Sequence, residues 1–161
     1  MLKLSHAALI NISGFIWAIA GFMLMRLGLT LLLIDSPGAS PLLSLLGPYI
    51  GGRFSAIFFL LILAFAMGYL KGRHVLGKSA RKAIARIKTF PNPTSLLNIY
   101  SAKYYLLLGG MIALGISIKY LGIPNDIRGA IDAAIGIALL TGAQFYFRQA
   151  AAMKKEPVSE V

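Results

Sequence analysis

Asp132 is the residue whose type and position most invite chemistry. It lies about one turn inside an apolar stretch running from Ile127 to Phe147. An ionisable group within a span marks a solute, ion or proton site unless a partner turns it into a structural pair. Arg128, four residues earlier on the same helical face, is the partner at hand. Gly129, Asp132, Gly136 and Ala143 share one small-residue face, so the carboxylate is expected to point at a neighbouring helix and not at lipid. Arg26 is the second charge within an apolar stretch. It sits off the line of Gly14, Gly21 and Gly28, and it either snorkels to the headgroups or lines a polar cavity.

Arg26, Arg53, Lys119 and Arg128, with Asp126 and Asp132, fall in the outer half or at the outer rim of the topology derived below. Four cations against two acids would make a positive vestibule attracting a small anion or a carboxylate-bearing solute, provided that they converge. Asn11, Ser13, Thr30, Ser55, Ser117, Thr141 and Gln144 are the remaining polar groups in the apolar stretches. They are expected to make backbone or interhelical hydrogen bonds.

Other chemistries find little support. His6 and His74 have no second His, Asp or Glu at ligand spacing, so no metal site is expected. The chain has no cysteine, which removes disulfides and thiolate chemistry. Phosphate-binding loops, zinc-protease and hydrolase motifs and paired carboxylates are all lacking. No enzyme and no cofactor are expected.

The elements that must position these residues are organised around Lys71–Lys88. It carries Lys71, Arg73, Lys78, Arg81, Lys82, Arg86 and Lys88 and no acid. Leu76, Ala80, Ala83 with Ile84, and Ile87 form a helical apolar stripe among them. Positive charge beside a span stays on the cytoplasmic side. The stretch is therefore expected to be a helix that leaves the membrane and lies along anionic headgroups. A nucleic-acid patch fits poorly between such apolar flanks.

On either side lie long apolar segments, in a chain 58% hydrophobic with net charge +11 and mean hydropathy +0.77. The spacing predicts spans at about 8–34, 54–70, 104–120 and 127–147, a basic connector at 71–93, an outer loop at 40–52 and a frayed polar tail at 149–161. The expected fold is all-α: one polytopic domain over 1–161, with four transmembrane helices in two hairpins. Both termini face the cytoplasm, and the expected location is the bacterial inner (plasma) membrane. Gly14, Gly21 and Gly28 repeat every seven residues, and with Gly129 and Gly136 they are the expected helix-packing seams. Arg53 to Arg73 and Arg128 to Arg148 are each twenty residues apart. This reads either as a parallel repeat of a two-helix unit or as the spacing that bilayer thickness imposes.

Two functions are compatible with this pattern. The leading one is a homo-oligomeric transporter or channel for a small solute, an anion if the cations converge, with Asp132, Arg128, Arg26, Lys119 and Arg53 at its site. The other is a non-transporting accessory or assembly subunit of a larger membrane complex, which binds anionic lipid or an acidic partner through residues 71–88.

Overall fold

The computed structural model describes residues 3–34, 40–91, 94–95, 113, 117 and 120–155. The described chain is helical apart from a two-residue antiparallel ladder, in which β1 (Lys3–Leu4) pairs with β2 (Thr94–Ser95). Three segments are long and apolar enough to cross a membrane: His6–Leu33, Arg53–Lys88 and Asn125–Met153. The expected third span, 104–120, lies outside the described residues except for Ala113, Ser117 and Tyr120. So do Lys119, the last two residues of the connector (92–93) and the tail beyond Lys155.

The first span is α1 (His6–Leu33), 28 residues and so about 42 Å long. Ser5 caps its start, its hydroxyl accepting from the Ala8 N–H at 3.3 Å. The expected outer loop is instead a ten-residue helix, α2 (Pro41–Ile50). Proline at the first helical position is preorganised for helix and has no N–H to waste. Gly51, at φ 87°, ends α2 in the left-handed conformation that glycine adopts without strain. Leu43 packs with Leu32, Ala56, Ile57 and Leu60, which pins the helix to the ends of its neighbours.

The second span continues without a break. α3 (Arg53–Lys71) passes through a π-helical turn (Gly72–Leu76) into α4 (Gly77–Lys88). The last span, α5 (Asn125–Lys155), runs 31 residues. It stays helical well beyond Phe147 because Gln149–Met153 is alanine-rich and because Ala150 is buried. The expected frayed tail is thus helical as far as Lys155.

α5 is the centre of the molecule. Built β-carbons on the glycines of α1 show how closely the two helices approach. At Gly14 the carbon would lie 2.9 Å from the Phe147 ring, at Gly21 2.8 Å from the Gly136 carbonyl, and at Gly28 2.5 Å from the Gly129 carbonyl. Rising numbers on α1 meet falling numbers on α5, so the pair is antiparallel. The second face of α5 takes the long helix: Gly68 meets Ala134, Gly72 meets Ala138, and Gly77 meets the Phe145 ring. Here the numbers rise together, so α3 and α4 run parallel to α5.

That register also decides where α4 goes. Ala80, Ala83, Ile84 and Ile87 are buried in one cluster with Leu9, Ile10, Trp17, Tyr146 and Ala150. The apolar stripe expected to rest on the membrane surface is therefore spent against α1 and α5, and α4 follows the bundle axis. An amphipathic helix covers its apolar face with whatever apolar surface lies nearest, and here the ends of α1 and α5 supply it.

Phe15, Ile19, Phe22 and Met23 on α1, with Phe54, Phe58, Ile62 and Phe65 on α3, remain exposed. An apolar belt of this size suits hydrocarbon and not water.

Candidate functional site

The charged residues at the α2 end divide by what they bind. Asp126 is wholly buried. One carboxylate oxygen accepts the Leu43 N–H at 2.9 Å and the other accepts the Ile127 N–H at 2.8 Å. Leu43 is the third residue of α2, where an unsatisfied N–H needs an acceptor. Ser40, the residue before the helix, makes no side-chain capping bond. A carboxylate from α5 therefore caps α2 and complements the positive end of its dipole.

Arg53 works in a similar way. Its Nη2 donates to the Ile34 carbonyl at 2.8 Å, tying the start of α3 to the end of α1.

Arg128 and Asp132 do come together. Nε lies 3.7 Å from Oδ2, one turn apart on α5. This is ion-pair distance and too long for a hydrogen bond. Oδ2 is buried and has no hydrogen-bond partner. The pair is close to the α1 seam, because Gly129 and Ala133, on either side of Asp132, are the residues against which Gly28 packs.

Arg26 goes elsewhere. It lies roughly 150° around α1 from Gly21 and Gly28 and is exposed. Thr30 donates its hydroxyl to the Arg26 carbonyl at 2.9 Å. Of the expected vestibule, then, Arg128 and Asp132 are joined, Arg53 and Asp126 each serve backbone groups, and Arg26 faces away from α5. Lys119 lies outside the described residues.

At the other end, Lys71, Arg73, Lys78, Arg81, Lys82, Arg86 and Lys88 are all exposed. α4 is held by its buried stripe, so these cations stand on a fixed support. Two are held further: the Arg81 guanidinium lies 5.7 Å from the Phe145 ring centroid and that of Arg86 5.8 Å from Phe90. Such contacts favour a cation over an aromatic face. Arg148, also exposed, follows Phe145 by three residues on α5. The described acids, Asp126 and Asp132, both belong to the opposite half of α5. Among the described residues, nothing neutralises the basic end.

His74 shares a hydrogen with the Leu70 carbonyl at 2.9 Å, beside the π turn. Among the described residues no group of three or more His, Cys, Asp or Glu could hold a metal ion.

Two features were missed from sequence. One is Phe145, which links Arg81 to α5. The other is the line of Gly68, Gly72 and Gly77, whose spacing of four and five residues was the available signal. The chain matches no family model, no curated protein and no solved structure.

Proposed function

We propose that the chain is a non-transporting membrane subunit: a closed helical bundle that joins a larger membrane assembly and displays a fixed cationic face on the cytoplasmic side. The observation that carries this reading is the double glycine seam on α5. Backbone meets backbone at Gly21–Gly136 and Gly28–Gly129 on one side, and at Gly68–Ala134 and Gly72–Ala138 on the other. Contacts this close suit helices held together permanently in lipid, where packing and not hydrophobicity drives association. The basic face supports the orientation, since positive residues flanking spans are retained in the cytoplasm.

Reconstitution into proteoliposomes tests the reading. Chloride, phosphate and small carboxylates are expected to cross no faster than in protein-free vesicles. A flux above that level, abolished by Asp132→Asn, overturns it.

One observation favours a transport reading as the second choice. Asp132 keeps a buried carboxylate oxygen without a hydrogen-bond donor, the kind of group that ion- and proton-handling proteins place inside spans. In that reading Arg128 releases the carboxylate when a cation or proton arrives.

A further inference from the structure

We infer that the surface where α4 meets α5 beside Phe145 is a binding site for the phosphate of a lipid headgroup, with Arg81 and Arg148 as its principal ligands and Lys78 as a third. This rests on the reading of the chain as a membrane subunit with its basic face at the cytoplasmic boundary.

Depth places the site. Phe145 is twenty residues from Asn125 at the start of α5, about 30 Å along a helix and thus one hydrocarbon thickness. A span that begins near Asn125 brings Phe145 to the opposite headgroup layer. Arg81 is carried to that level because α4 runs in register with α5, Gly77 lying so close to the Phe145 ring that a β-carbon there would be 3.0 Å from it. Arg148 is one turn further on the same helix, and Lys78 is one turn before Arg81.

Chemistry narrows the ligand. Arg81 lies over the Phe145 ring and Arg148 stands one turn further along α5, and arginine presents a planar fork that matches phosphate oxygens in pairs. The Phe145 ring holds the Arg81 guanidinium without consuming its N–H donors on a carboxylate, so the donors remain for a ligand. No described acid lies at this end to compete.

Surroundings narrow the source. Tyr69, Leu70 and Val75, on the same long helix within the twelve residues before Arg81, are exposed, so apolar surface for acyl chains stands on the membrane side of the site. A free phosphate would gain nothing from such a surface.

The test uses the full chain in nanodiscs of zwitterionic lipid, with labelled phosphatidic acid as the probe and labelled oleate as a carboxylate of the same sign. Wild type is expected to bind phosphatidic acid in preference to oleate. Arg81→Gln and Arg148→Gln are each expected to weaken that binding about fivefold, the effect of one cation near an anionic surface. Arg26→Gln, at the other end of the bundle, leaves it unchanged. All three substituted residues are exposed, so the variants keep the fold, and circular dichroism verifies this.

Equal binding by wild type and both arginine variants overturns the site. Oleate held as tightly as phosphatidic acid reduces it to general charge attraction and overturns the phosphate assignment. Displacement of the lipid by millimolar inorganic phosphate makes it a site for free phosphate and overturns the lipid assignment. Flux measurements report separately on the subunit reading, so a transporting wild type with intact lipid selectivity would fail that reading and not this one.

Discussion

Replacing Gly28 or Gly136 by alanine should weaken the protein, although alanine is the better helix former by about 1 kcal/mol. A β-carbon at Gly28 would sit 2.5 Å from the Ala133 nitrogen and the Gly129 carbonyl oxygen, and at Gly136 2.6 Å from the Met25 nitrogen. These are backbone atoms of the facing helix, and no rotamer change removes them. To reach an ordinary contact, α1 and α5 must part by about 1 Å, in an interior packed too densely to absorb the change elsewhere. Overpacking of this kind costs about 1–3 kcal/mol, and parting the helices also forfeits dispersion along the seam. Set against the propensity gain, each variant should lose about 1–2 kcal/mol.

Unfolding in mixed micelles by increasing SDS can be followed by Trp17, the single tryptophan, whose ring packs 5.5 Å from that of Tyr146 on α5. If Gly28→Ala and Gly136→Ala are as stable as the unsubstituted protein, the two helices are not in backbone contact along this seam.

Three further outcomes follow from the charged groups. Asp126→Ala removes the acceptor for the Leu43 N–H; it should cost about 2 kcal/mol and raise hydrogen exchange at that amide at least tenfold, roughly. Unchanged exchange would mean that α2 is capped by something else. Arg128→Gln removes the partner of a largely buried carboxylate and should destabilise by about 1–3 kcal/mol, most of it recovered in the double variant Arg128→Gln/Asp132→Asn; an Arg128→Gln variant as stable as the unsubstituted protein would show the pair to be energetically idle. Arg26→Gln should change stability by less than about 0.5 kcal/mol, and a large loss would place Arg26 in a contact that its exposed position does not supply.

Much of the architecture was legible because the bilayer leaves few choices. Runs of apolar residues near 20 long must be helices, as the backbone has no other way to satisfy its polar groups there. Both ends of α1 and the starts of α3 and α5 therefore fell close to the expected bounds, whereas the long helix runs on through α4 to Lys88 and α5 runs on to Lys155. Gly14, Gly21 and Gly28 repeat every seven residues, and in the structure they lie against Phe147, Gly136 and Gly129 of α5.

Interactions between distant elements were not legible. Nothing near Pro41 in sequence announces that Asp126, more than eighty residues later, will cap α2. The stripe on α4 could be read, but its target could not, since α1, α5 and a lipid surface all offer the same apolar chemistry. Arg26 and Asp132 illustrate the limit. Helical spacing gave the angle of each on its own helix, and only the pairing of α1 with α5 shows that the two side chains do not face each other.

A permanently packed bundle keeps the interfaces around α5 closed to water, and the cysteine-free chain allows that to be measured without background. Single cysteines at Ala64 and Ala143, both buried in the bundle, would be exposed in vesicles to a charged, membrane-impermeant thiol reagent, with Leu121→Cys as the exposed reference. The account predicts rapid labelling at position 121 and none at 64 or 143 from either side of the membrane. Labelling at 64 or 143 at a rate comparable to 121 would reveal an aqueous path along α5 and contradict it.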